Sequence, residues 1–144
     1  MNWQTEGEGS IWLPVLNAAE DKYGIPHNLL ARVAYEESHF RADIITGAVK
    51  SSVGAVGIMQ LMPQFFINAG QDPTADIETA AHFLASLYVR FKDWSLAVAA
   101  YNDGPGNIHA YLAGTKELPD ETKTYVAQIT TDVPVGGQLQ AEVA

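Results

Sequence analysis

The sequence predicts one mostly α domain with little or no β structure, and three observations carry that expectation. Apolar residues recur at helical spacing, most clearly at Ile77, Ala80, Ala81, Leu84, Leu87, Tyr88 and Phe91. No segment of useful length alternates apolar and polar residues as a half-buried strand does. With 144 residues and 47% hydrophobic content, the chain has material for one core and too little for two.

Taken in order, residues 1–10 hold Gly7 and Gly9 but no apolar period, and read as a flexible N-terminal arm. A first helix is expected from Ile11 or Trp12, with Pro14 in its first turn and Ile11, Val15, Leu16, Ala19 and Tyr23 inward, ending at Gly24-Ile25-Pro26. A second should run from Pro26 to Ser38. Between Arg41 and Gly57 the glycines and serines suggest a loop whose backbone comes close to something. Within it, Ile44, Ile45 and Val49 are apolar beyond the needs of a solvated loop and are expected to form a cleft wall. Ile58 to Met62 reads as a short apolar helix, followed by another short segment through Phe65, Phe66 and Ile67. The long helix covers Asp76 to Phe91. Ser95 to Tyr101 is a buried helix stopped by Asn102-Asp103-Gly104-Pro105-Gly106. Asn107 to Leu112 and Glu121 to Thr130 complete the set, the last capped by Asp120. Residues 132–144 read as a C-terminal tail, which leaves 11–131 as the domain proper.

Seventeen acidic residues against eight basic ones set a net charge of −9, which argues against binding nucleic acid or anionic membranes. No stretch approaches the roughly 20 apolar residues of a membrane span. Cysteine is absent, which removes thiol nucleophiles, thiolate metal sites and disulfides together. The first eight residues are acidic and polar where a secretory signal needs positive charge and then an apolar run, so synthesis in the cytoplasm is expected.

Glu37 is the candidate catalytic residue. On a wheel at about 100° per residue it falls within roughly 10° of the centre of the face made by Leu29, Leu30, Val33 and Ala34, whereas Glu36 lies about 90° away. Glu36 also follows Arg32 by four residues and is accounted for by an exposed ion pair. A carboxylate facing a core is disfavoured in its charged form, so a raised pKa and a general-acid role are expected. Two alternatives stay open: the helix ends and turns Glu37 to water, or backbone amides hold it as an anchor.

Four motifs carry a resemblance. Glu37-Ser38-His39-Phe40, the run Gly54-Ala55-Val56-Gly57-Ile58-Met59-Gln60-Leu61-Met62-Pro63, Ala100-Tyr101-Asn102-Asp103-Gly104-Pro105-Gly106, and Thr122-Lys123-Thr124-Tyr125-Val126 stand in the order of E-S-x-F, G-A-x-G-L-M-Q-L-M-P, A-Y-N-x-G-P-G and T-x-x-Y-V. In these the chain resembles the soluble lytic transglycosylase (SLT) catalytic domain family, whose fold is that of goose-type lysozyme. The resemblance implies a lysozyme-like helical domain with a glycan cleft that cleaves the β-1,4 bond between N-acetylmuramic acid and N-acetylglucosamine in peptidoglycan, without metal or cofactor. It places the family's acid on Glu37. Ser38 should orient the site, Met59 and Gln60 line the cleft floor, Tyr101 and Asn102 hold the sugar, and Tyr125 approach the acid. The expected partner is the peptidoglycan glycan strand, the expected state a monomer, and the expected delivery to the cell wall that of a phage virion or lysis protein.

The chain departs from the family pattern in a longer Ala42 to Lys50 segment, in Ile58 for the usual leucine, in Ala80 for a glycine and in Asp103 for an alanine. A second carboxylate such as Asp103 is what a hydrolase would use, although its place before Gly104-Pro105 fits a turn or cap. A hydrolytic muramidase and a non-catalytic assembly component with a glycan cleft are the competing functions.

Overall fold

The computed structural model describes residues 2–144, and Met1 lies outside them. Eight helices are described, in chain order α1 (Gly9–Tyr23), α2 (Leu29–Ser38), α3 (Ala42–Ile45), α4 (Pro73–Phe91), α5 (Trp94–Asp103), α6 (Pro105–Leu112), α7 (Asp120–Asp132) and α8 (Gln138–Val143). They fall into two compact units, one ending at His82 and the other beginning at Phe83, so the boundary lies inside α4.

In the first unit α1 packs on α2. The helix α1 starts at Gly9 and stops at Gly24, whose φ of 69° takes the left-handed conformation that ends a helix cheaply only at glycine. Of its predicted inward residues Leu16 and Ala19 are buried, while Ile11 is exposed. The expected loose arm is instead folded against the end of α2: the Glu8 amide donates to the Phe40 carbonyl at 2.8 Å, and the Trp3 ring lies 6.1 Å from that of Tyr35. Trp3 lies outside any periodic segment, so its meeting with Tyr35 of α2 leaves no pattern to read.

The segment after Phe40 is not all loop. It forms the short α3, with Ile45 buried, Ile44 half-buried and Val49 exposed, so its apolar content serves the core in part rather than a cleft wall alone. The apolar helix expected over Ile58 to Met62 is a tight turn. Val56 and Leu61 exchange both backbone hydrogen bonds at 3.0 Å across it, the one antiparallel bridge among the described residues. Gly57 (φ 80°) and Gln60 (φ 51°) set that reversal, and Ile58 and Met59 are apolar because they are buried. Phe65 to Ile67 likewise sits in consecutive turns, with Phe65 and Ile67 exposed.

The long helix α4 begins three residues before its predicted start, where Asp72 Oδ1 accepts the Thr74 amide at 3.0 Å. Its apolar stripe is as expected: Ile77, Ala80, Ala81, Leu84 and Leu87 are all buried.

In the second unit α5 packs against α6, α7 and α8, and α7 against α8. Six consecutive residues of α5, Ser95 to Ala100, are buried, as a helix apolar on every side requires. Gly104 at φ 95° and Pro105 at the first position of α6 break the two helices apart. In α7, Asp120 is the first helical residue and makes no cap bond, since Pro119 holds the cap position. Residues 132–144 are not a tail: α8 buries Leu139, and the Gln138 amide donates to Asp93 Oδ2 at 2.8 Å while the Leu139 amide donates to Ser95 Oγ at 3.1 Å. A polar Gly-Gly stretch hides this because the anchor, Asp93, lies 45 residues away in sequence.

Candidate active site

Glu37 is the last residue but one of α2 and is half-buried. Leu29, Leu30, Val33 and Ala34 are fully buried beneath the helix, as its apolar face predicts. The expected contrast between the two glutamates is nonetheless weaker than the wheel suggests, for Glu36 is half-buried too. Its pair with Arg32 forms at 2.8 Å but is not an exposed one, since Arg32 is only 5% exposed. Covering it are the rings of Trp3 and Tyr35, whose centroids lie 5.9 and 5.0 Å from the guanidinium carbon. Of these, Trp3 comes from the N-terminal arm expected to be loose.

Ser38 is buried, donates its hydroxyl to the Ala34 carbonyl at 2.9 Å and accepts the Phe40 amide at 3.3 Å. It therefore secures the exit from α2 beside Glu37. That exit is strained: His39 and Phe40 have φ of 52° and 55°, a conformation that costs a residue other than glycine on the order of 1–3 kcal/mol. Strain of that size persists where surrounding contacts over-determine it. Here Phe40 is fully buried, and its carbonyl and amide are both engaged.

Met59 and Gln60 sit in the turn closed by the Val56 and Leu61 bridge. Met59 is 0% exposed and so supports the turn from beneath instead of offering a floor to a sugar. Gln60 is half-buried, and its side-chain amide donates to the Gly57 carbonyl at 2.9 Å. The close backbone approach expected of the glycines is to the chain itself: a Cβ on Gly57 would run into the Asp76 carboxylate, and one on Gly70 into Val56. Asp76, nearly fully buried, accepts the Gly70 amide at 3.0 and 3.1 Å and ties the turn to the start of α4. Burial pushes the Asp76 carboxyl upward, against the opposing effect of the Gly70 amide. Sequence reasoning missed this residue because an acid in a first helical turn looks like an ordinary dipole partner.

The remaining candidates lie in the second unit. Tyr101, half-buried on α5, has its ring 5.7 Å from that of Phe83. Its neighbour Asn102 accepts the Thr122 hydroxyl at 2.8 Å, which ties the end of α5 to the start of α7 three residues before the buried Tyr125. Asp103 closes α5, where its carbonyl and carboxylate accept from the Asn107 side chain at 2.7 and 3.3 Å. This is the turn role expected of it. No helix among the described residues is long and apolar enough to cross a membrane.

Among the described residues the chain is mostly helical, with one tight bridge and with Glu37 on the last turn of α2. The Transglycosylase SLT domain model matches residues 14–124, and the chain belongs to that family, the one its four motifs point to. It is 32% identical over 112 residues to a transglycosylase of Enterobacteria phage PRD1, covering 75% of this chain and 40% of that protein. To the soluble lytic murein transglycosylase of Escherichia coli (strain K12) it is 32% identical over 131 residues, 73% of this chain and 20% of the other. To the peptidoglycan transglycosylase gp16 of Escherichia phage T7 it is 30% identical over 142 residues, 85% of this chain and 10% of the other. The chain thus spans well under half the length of these relatives. The solved structure of an inactive mutant of lytic transglycosylase Slt from Pseudomonas aeruginosa superposes with a TM-score of 0.62 at 24% identity, over 88% of this chain and 25% of that one, and shares its fold.

Proposed function

We propose that this chain is the catalytic domain of a peptidoglycan lytic transglycosylase, with Glu37 as its acid and base. Glu37 gives its proton to the glycosidic oxygen between N-acetylmuramic acid and N-acetylglucosamine as the bond from that oxygen to C1 of the muramoyl residue breaks. The carboxylate then takes the proton of the muramoyl 6-hydroxyl, whose oxygen closes on C1 and leaves a 1,6-anhydro sugar. The atoms balance without water.

The observation that carries this reading is the place of Glu37, in an SLT domain, half-buried on the last turn of α2. Ser38 keeps that last turn in place, while Gln60, Tyr101 and Asn102 are assigned to the glycan. The engagement of Asp103 with Asn107 supports ring closure over hydrolysis, because the carboxylate a hydrolase would enlist is held in a helix junction. Two of the relatives are phage proteins, which supports a phage-borne enzyme delivered to the cell wall.

The test is mass spectrometry of the muropeptides that the pure protein releases from peptidoglycan. Products ending in 1,6-anhydromuramic acid, lighter than the reducing form by one water, are expected. Exclusively reducing ends would move the assignment to a hydrolase.

A further inference from the structure

We propose that residues 3–9 form a strap that positions Glu37, with Glu6 and Gly7 as positioning residues; this rests on the assignment of Glu37 as the acid. The strap leads into α1 at Gly9 and meets α2 at Arg32, at Tyr35 and at the exit beyond Ser38. Glu6 accepts a hydrogen bond from the Tyr35 hydroxyl, two residues before Glu37. The Tyr35 ring packs on Trp3 (6.1 Å), His39 (4.9 Å) and Phe40 (5.7 Å). The Arg32 guanidinium, paired with Glu36, lies 5.9 Å from the Trp3 ring and 5.0 Å from the Tyr35 ring.

Three residues beyond Glu37 the strap touches the backbone directly. The Glu8 amide donates to the Phe40 carbonyl at 2.8 Å. Gly7, at φ 55°, lies so close that a Cβ there would collide with the same carbonyl, and a Cβ on Gly9 would meet the Phe40 ring and the Gln4 carbonyl. Its two glycines therefore let the strap reach the two left-handed residues, His39 and Phe40, that terminate α2. Ser38 holds that exit from within the helix, and residues 3–9 hold it from outside. Glu37 stands between Tyr35 and the His39-Phe40 exit, so its angle depends on both. A side-chain acid that must meet a glycosidic oxygen in one geometry gains from being held at both ends.

The full chain is compared with Glu6→Ala, Glu6→Gln, Gly7→Ala and Tyr35→Phe, by kcat and KM on a soluble glycan fragment and, without substrate, by hydrogen exchange of the His39 to Arg41 amides and the carboxyl carbon resonance of Glu37. The expected result is that Glu6→Ala and Tyr35→Phe each lower kcat by about tenfold with KM within about twofold. Glu6→Gln, which keeps an acceptor for Tyr35, should restore most of kcat. Amide exchange at the helix exit should rise by about tenfold in Glu6→Ala, and more in Gly7→Ala. A kcat for Glu6→Ala and Tyr35→Phe within twofold of the unaltered protein overturns the strap, whatever the exchange shows. If the unaltered protein releases nothing from peptidoglycan, the glycan reading falls; the strap then stands if the Glu37 resonance and the exit amides respond to Glu6→Ala, and falls with it if they do not.

Discussion

At the N-terminal end of α2 the carboxylate of Glu20, reaching over from α1, is 0% exposed and accepts the amides of Asn28 (2.9 Å) and Ala31 (3.0 Å) and the side-chain amide of Asn17 (2.7 Å). At the C-terminal end, Glu37 is only half-buried and stands where the helix presents carbonyls instead of amides. Glu20 satisfies the wheel criterion for a buried acid better than Glu37 does, since it follows the fully buried Leu16 by four residues. Burial pushes its carboxyl upward, and the amides only partly offset that. A carboxylate turned toward a core is therefore no sufficient sign of catalysis. The amides of Asn28 and Ala31 converge on Glu20 and make it the cap of a helix whose own cap residue, Asn28, makes no side-chain cap bond.

The contrast breaks if the two residues respond alike to substitution. Glu37→Gln should lower turnover on the order of 100-fold to 10,000-fold while leaving the urea midpoint in place, because the amide keeps the shape but carries no transferable proton. Glu20→Gln should keep turnover within a few-fold and lower the midpoint. Parallel losses of turnover in both would remove the distinction between cap and acid.

Next in size come the effects on stability. Glu20→Ala orphans the buried Ala31 amide and the part-buried Asn28 amide and should cost about 2–6 kcal/mol, at roughly 1–3 kcal/mol for each unsatisfied group. Glu36→Gln sharpens the same comparison. On sequence alone it reads as silent, an exposed i, i+4 pair worth a few tenths of a kcal/mol. With Arg32 almost fully buried beneath Trp3 and Tyr35, the expected loss is about 1–3 kcal/mol, with turnover retained. Urea denaturation of the two variants beside the unaltered chain measures both, and a midpoint unchanged in Glu36→Gln would show the pair to be as weak as its spacing suggests.

How much of this was legible in the sequence depends on whether a residue's partner is near it in the chain. The helices α4 and α5 were readable because their burial repeats at the helical period or is continuous. The buried face of α2, Leu29, Leu30, Val33 and Ala34, was readable for the same reason, whereas the separation of Glu37 from Glu36 on the wheel does not appear in their burial; the four motifs named the family. Met59 and Ile58 misled because burial alone makes a run apolar, whether the backbone is a helix or the turn closed by Val56 and Leu61. The strap, α8 and the roles of Glu20 and Asp76 were not readable. Each depends on one or two polar contacts: Glu6 with Tyr35, Asp93 with Gln138, Glu20 with Ala31, Asp76 with Gly70. A single hydrogen bond leaves no period behind it.

The smallest expected effect is a pH dependence that sets Glu20 against the corresponding anchor of the second unit, Asp93. Burial opposes charge on Asp93 as well, but the Ser95 hydroxyl (2.6 Å) and the amides of Gln138 (2.8 Å) and Leu96 (3.0 Å) outweigh it, and its carboxyl is held below the ordinary 3.8. The two signs differ. Glu20, raised above 4.5 in the folded chain, binds its proton more readily folded than unfolded. Its contribution is fully present below 4.5 and is lost as pH rises through the raised value. Asp93 contributes fully above 3.8 and loses that contribution as pH falls through its lowered value. Acidification from neutrality should first relieve Glu20 and only later, below 3.8, release the α8 anchor. Denaturation across pH 2.5–7 for the unaltered chain, Glu20→Gln and Asp93→Asn reads this as differences, which cancels the carboxylates common to all three. The gap between the unaltered chain and Glu20→Gln should change above about pH 4.5, and the gap to Asp93→Asn should close only below about 3.8. If both gaps changed in the same window and with the same sign, burial would not be what separates the two anchors, and the amide count at Glu20 would have to be sufficient to hold its charge.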